Sequence, residues 1–237
     1  MKQLILSIGV SMVMASTAAS TSASTSGINS ELHKLDDTVQ DREGNVYRTV
    51  KIGEQVWLAE NLRSTQFQDG SAVHSGAVPN DDAANLLTYG RLYNWHDVSD
   101  ERNLCPVGWR VATDDDWKTL ERTLGMPEAE VHKDGWRGGE QNIGLQLKES
   151  QADGPFAKFE PSLVNKQQFF ARPAGVKWNG FYITQGAYTE FWTATRATNS
   201  QAIIRTLAYS WWNAHKTEIR RATSSKEYMF SVRCVRS

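Results

Sequence analysis

The sequence predicts a single α+β domain, and three observations carry the prediction. A capped amphipathic helix and weaker helical runs occupy the middle of the chain. Short aromatic and β-branched runs separated by turns fill its second half. Nothing alternates in the strand–helix–strand manner that a parallel sheet requires. Two or three helices beside a small, mostly antiparallel sheet, with long loops between, satisfy all three.

The chain opens with Lys2, an apolar run from Leu4 to Ala15, and a small polar stretch from Ser16 to Ala23. That layout is the one a secretory signal peptide has, and the apolar run is too short to span a bilayer. Cleavage is expected after Ala18, Ala19 or Ala23, so residues 1–23 are assigned to the signal peptide. Without a cysteine near that point, a lipid anchor there is excluded. Residues 24–36 read as a low-complexity linker, and the folded domain is placed at 37–237.

Val46 to Ile52 alternates apolar and polar residues, as does Gln55 to Leu58. Between them Gly53-Glu54 forms the two-residue loop of a type II′ hairpin, since glycine accepts positive φ at its first position. Asp41 to Asn45 is a further turn signal, which makes a three-strand meander. Residues 64–82 read as loop. Ala83 to Val98 is partly helical in period, with Gly90 as its weak point. The clearest helix follows: Thr113 caps it, Asp116 stands at the capping-box position, and Asp114, Asp115 and Asp116 meet the positive end of the dipole. Trp117, Leu120 and Leu124 mark its buried face, and Gly125 ends it. Residues 134–142 read as a glycine-rich loop, Ile143 to Leu147 as a short helix, and the chain from Phe169 onward as strands and loops.

Charge excludes some partners. The chain has 26 basic and 27 acidic residues. Removal of Lys2 with the signal peptide leaves 25 − 27, about −2, which gives no basis for nucleic acid or an anionic membrane as partner. The late basic residues Arg220, Arg221, Lys226, Arg233 and Arg236 alternate with Glu218 and Glu227 and read as a solvated strand face. Cysteine occurs twice, at Cys105 and Cys234. In an exported chain an even count favours a disulfide over free thiols. A loop that long is worth up to roughly 5 kcal/mol in the chain-entropy treatment.

Several strings carry a resemblance jointly: GNVYRTVKIGEQVWLAENLR (44–63), YGRLYNWHDV (89–98), CPVGWRVATDDDWKTL (105–120), GLQLKES (144–150) and FSVRCVRS (230–237). In order and wording they resemble the Fibrobacter succinogenes major paralogous domain family, over roughly residues 37–237. The resemblance implies an exported or surface protein of bacteria in a family with no established activity. It further implies a C-type-lectin-like fold. GWRVATDDDW is similar to the Gly-Trp-Arg-Leu-Pro-Thr helix start of formylglycine-generating-enzyme-type domains, with Ala112 where proline is usual. A bond from before the main helix to the last strand fits such a fold. The oxidase chemistry of those enzymes needs an extra cysteine pair, which this chain lacks.

Other chemistry is not indicated. The chain has no Gly-x-Ser-x-Gly, no His-Glu-x-x-His and no phosphate loop. His33, His74, His96, His132 and His215 are scattered without metal-ligand spacing. Glu160-Pro161-Ser162 and Trp178-Asn179-Gly180 each fall one ligand short of the calcium motifs of C-type lectins. No cofactor and no metal are expected. Carboxylates such as Asp81, Asp82 or Glu190 would have to converge for a hydrolase-type site.

The aromatic content points elsewhere. Trp57, Trp109 and Trp117 lie on apolar faces and belong to the core. Trp178, Asn179, Tyr182, Trp211, Trp212 and Asn213 lie in loop-prone text beside Asn and Gly, and adjacent Trp211 and Trp212 on a strand face opposite sides. Exposed rings beside amides suit sugar stacking. The expected function is a non-catalytic binding module, periplasmic, cell-surface or secreted, whose partner is a glycan or an exported protein. A structural or assembly role in the envelope is the alternative.

Overall fold

A computed structural model describes residues 38–149, 164–210 and 213–237. The expected signal peptide and linker, Trp211, Trp212 and Glu160-Pro161-Ser162 lie outside the described residues.

The meander expected at the start of the domain forms as read. Strands β1 (Thr38–Gln40), β2 (Val46–Ile52) and β3 (Gln55–Leu58) pair antiparallel in order. Asp41 organises the first turn by accepting the N–H groups of Glu43 and Asn45 at 3.0 and 2.9 Å. Gly53 sits at φ 59° in the second, and a Cβ there would press on Thr123 at 2.9 Å. The last strand, β11 (Cys234–Arg236), then inserts between β3 and β4 (Trp109–Val111), so the sheet runs β1-β2-β3-β11-β4. The second sheet runs β5 (Gly135–Arg137), β10 (Ile219–Ser225), β9 (Gln201–Ala208), β8 (Tyr188–Arg196), again antiparallel throughout. A two-stranded hairpin, β6 (Val176–Trp178) and β7 (Phe181–Ile183), completes the strands. Residues 229–231 join these parts: Met229 bridges Lys177, Phe230 bridges Tyr93, and Ser231 bridges Phe191.

The helices are short. α3 (Asp114–Thr123) has ten residues, while α1 (Asn85–Tyr89), α2 (Trp95–Val98), α4 (Glu128–Val131) and α5 (Ile143–Leu147) have four or five each. The described residues therefore form a mostly β architecture, and the expected α+β C-type-lectin-like fold is corrected. The reason lies in punctuation. Gly90 at φ 72° closes α1, Gly125 at φ 99° closes α3, and α4 runs only from Pro127 at its N-cap to His132 at its C-cap. Helical periodicity is present between 83 and 147 but is cut before it can build a helical layer. The region read as a glycine-rich loop instead supplies β5, which pairs with β10 about 80 residues later.

α3 keeps its sequence signals. Thr113 and Asp116 exchange both bonds of the capping box, and Trp117 and Leu120 are fully buried with Leu124 beside them. Two of its acids do more than face solvent or the dipole. Glu121, fully buried, accepts Arg205 and Arg137 at 2.7 Å each, and Asp114 accepts Arg205, Arg221 and Lys118 at 2.8–2.9 Å. Burial pushes Asp114 up, but Arg221, Arg205 and Lys118 outweigh it and hold its carboxyl well below the usual range. The helix is thereby locked to the second sheet by ion pairs as well as by Trp117.

Two aromatic cores flank these layers. In one, Trp57, Trp117 and Phe169 meet edge to face at 5.2–5.7 Å. In the other, Tyr47, Tyr93, Trp109, Trp192 and Phe230 surround the Cys105–Cys234 disulfide, which links positions 129 residues apart. The late basic residues do not form one solvated face. Arg233 is fully buried and Lys226 nearly so, while Arg220 and Arg236 are exposed. Arg233 lies within 230–235, a run buried throughout, where backbone carbonyls accept its N–H groups.

Candidate functional site: the 176–183 hairpin

Asn179 and Gly180 lie at φ 48° and 82°, the two positive values that a type I′ turn needs. They turn β6 directly into β7, so text that reads as loop is a hairpin tip. Asn179 takes the first of the two turn positions. Among the described residues no cluster of three His, Cys, Asp or Glu could hold a metal.

Pairing sorts the hairpin into two faces. Lys177 pairs with Tyr182, and Trp178 pairs with Phe181. On the first face Lys177 Nζ donates to Tyr182 Oη at 2.9 Å, and Tyr182 donates to Asp81. Lys177 Nζ also lies 3.7 Å from Asp81, and Asn80 donates to Gln185. The bond to Tyr182, with Asp81 adding to it, raises the Lys177 pKa; burial and the Asp81 bond raise that of Tyr182. Loop 79–82 thus clamps the polar face.

The other face is left open. Trp178 is 46 % exposed, Phe181 68 % and Ile183 44 %, against a chain whose other large apolar side chains are mostly buried. Trp178 is nonetheless held. Its ring stacks on Tyr228 at 5.6 Å and 14°, Tyr228 on Phe230 at 5.6 Å and 26°, and Phe230 meets Trp192 at 4.5 Å. Because Trp192 is fully buried and donates its indole N–H to the Tyr93 carbonyl, a line of rings runs from the core to the surface. One face of Trp178 rests on this line. A ring so fixed loses little freedom when a ligand covers it.

The hairpin brings three expected residues together: Trp178, Asn179 and Tyr182. Asn213 sits elsewhere, its amide donating to Tyr188 Oη at 2.6 Å at the start of β8 and its carbonyl oxygen accepting the His215 N–H at 2.8 Å. Sequence reasoning passed over Phe181, Ile183 and Tyr228. The first two were readable, because Asn-Gly between short aromatic runs is a strong hairpin signal and places Phe181 opposite Trp178. Tyr228 has no such signal; the fold alone sets it beneath Trp178.

Of the carboxylates considered for catalysis, Asp81 is engaged by Tyr182 and Lys177, and Asp82 accepts the Ala84 N–H at 3.0 Å. Glu190, on β8, has a buried Oε2 without a hydrogen-bond partner among the described residues. Burial raises its pKa to about 7 against the opposing pull of Arg220.

The family described as Fibrobacter succinogenes major domain matches this chain over residues 50–236, most of its length. No curated protein and no solved structure matches it.

Proposed function

We propose that this chain, which belongs to the Fibrobacter succinogenes major domain family, is an exported, non-catalytic binding module of the cell envelope or extracellular space that recognises a glycan. The observation that carries the reading is the Trp178 ring, half exposed at a hairpin and backed by Tyr228. A fixed indole face covers the C–H surface of a sugar ring. Export rests on the basic and apolar N-terminal text, in keeping with a long-range disulfide of the kind oxidising compartments preserve.

The test is retention on a panel of cell-wall and matrix polysaccharides. Trp178→Ala is expected to abolish retention while leaving the unfolding midpoint nearly unchanged, since the ring is half in solvent. Retention unchanged in that variant, or none on any polysaccharide, removes the glycan reading.

A second reading has its own support. Phe181 and Ile183 add apolar surface that a sugar does not need, and contiguous exposed apolar surface is what a protein partner covers. Phe181→Ser with Ile183→Ser would then weaken binding to an exported protein without changing polysaccharide retention.

A further inference from the structure

A cleft of about 310 Å³ opens on the other part of the molecule, lined by Arg48 on β2, by Glu60, Asn61 and Arg63 after β3, by Leu87 on α1, and by Phe170 and Arg172. Its size is at the lower end of small-molecule sites. We propose that this cleft binds a carboxylate-bearing ligand of monosaccharide size, a sugar acid, with the carboxylate held by the free edge of Arg48 in the field of Arg172.

The charge count favours an anion. Glu60 is shared, accepting Arg48 Nε at 2.7 Å and Arg63 Nη1 at 3.0 Å. Glu149 takes Arg172, with Nη2 at 2.6 Å, and Arg172 Nη1 reaches the Thr88 carbonyl at 3.1 Å. Behind Asn61 and Phe170 lies Arg233, fully buried. It donates to Asn61 Oδ1 at 2.8 Å and to the carbonyls of Leu58, Phe169 and Phe170 at 2.8, 2.6 and 3.0 Å, so its bonding partners are all neutral oxygens. Burial lowers its pKa to about 9, which leaves it cationic at neutral pH. Four arginines therefore face two glutamates, an excess of two positive charges around one cleft. An excess of this kind in a partly enclosed site attracts an anion more strongly than the same charges on open surface.

The geometry favours a carboxylate on a ring. Among the described residues Arg48 hydrogen-bonds only through Nε, which leaves Nη1 and Nη2 to donate, and a guanidinium edge matches the two oxygens of a carboxylate. Its plane lies over the Phe170 ring at 4.3 Å, which fixes that edge. Phe170 itself is held at φ 50°, a strained value for an aromatic residue, with its carbonyl on Arg233 and its N–H on Asn165 Oδ1 at 3.0 Å. Phe170 and the largely exposed Leu87 supply apolar walls suited to the body of a sugar ring.

This inference stands apart from the hairpin reading, because none of these residues belongs to 176–183. The experiment is calorimetric titration of the whole protein with galacturonate, galactose and acetate at low salt. Galacturonate is expected to bind, acetate to bind more weakly, and galactose not at all. Arg48→Gln and Arg172→Gln are each expected to weaken galacturonate by about tenfold or more, the usual scale for a lost charge-assisted contact. Arg48 is partly exposed, and circular dichroism establishes that its variant is folded. Failure of galacturonate to bind, equal binding of galactose, acetate as tight as galacturonate, or affinity unchanged in both arginine variants overturns the proposal.

Discussion

Glu190→Gln isolates one buried carboxyl and predicts a stability change whose sign depends on pH. Glu190 pairs across the sheet with Thr206, its Oε2 is buried without a hydrogen bond, and its pKa rises to about 7. The native state thus keeps the proton to higher pH than the unfolded chain does. Stability is unpenalised below the unfolded value, near 4.3, then falls as pH rises toward 7 and levels off above it. A rise of that size corresponds to about 3 kcal/mol at pH 8.5. Gln has the shape of the neutral acid and never ionises, so Glu190→Gln is expected to match the parent at pH 4 and to exceed it by about 3 kcal/mol at pH 8.5. The value of about 7 already includes the opposing attraction of Arg220, so this gain is net of it. Urea unfolding of both proteins at pH 4, 5.5, 7 and 8.5 gives the difference curve, in which the other titrating groups cancel. A difference that stays constant across this range, or a parent more stable than the variant at pH 8.5, refutes the reasoning.

Two further perturbations test the interior. Glu121→Gln removes the charge that faces both Arg205 and Arg137; a buried pair broken on one side costs about 3–5 kcal/mol, read by chemical denaturation, and a loss below about 1 kcal/mol means the arginines find other partners. Reduction of Cys105–Cys234 releases a loop of 129 residues and is expected to cost up to about 5 kcal/mol, measured as the shift in urea midpoint with and without reductant; an unshifted midpoint counts against the bond as a stabilising tie.

What the sequence disclosed is what local chemistry determines. β2 and β3 were legible to the residue because alternation and a glycine turn act within a dozen positions. α3 was legible because Thr113 and Asp116 cap it and Trp117 and Leu120 repeat at helical spacing. The resemblance identified the family but carried the wrong fold class. β5 was not legible: Gly135-Trp136-Arg137 has too little text to alternate, and its strand character comes from pairing with Ile219 to Arg221. Nor could β11 be assigned its place between β3 and β4, since both neighbours are distant in sequence.

Of the candidate site, the aromatic and amide residues of the hairpin could be named, but which ring would be open and which buried could not. Trp178 and Trp192 both sit in aromatic runs, and only the fold makes one the surface end and the other the core end of a single line of rings.

The buried charges explain the largest misreading and connect the two candidate surfaces. Alternating Arg and Glu near the end of a chain usually describe a strand with one face in water, and Arg220 and Arg236 fit that pattern. Arg233 does not, because the segment carrying it runs between the two sheets and finds Asn61 and three carbonyls where solvent would otherwise be. A few residues earlier the same segment places Tyr228 under Trp178 and Phe230 against Trp192. One stretch, 228–233, therefore supports the exposed indole at one end and the positive charge behind the arginine cleft at the other. Cys234 follows directly and bonds Cys105, and β11 is held by β3 and β4 on either side. The disulfide consequently does more than shorten the unfolded chain: it fixes the one segment on which both surfaces depend, so loosening it is expected to disturb ring and cleft together.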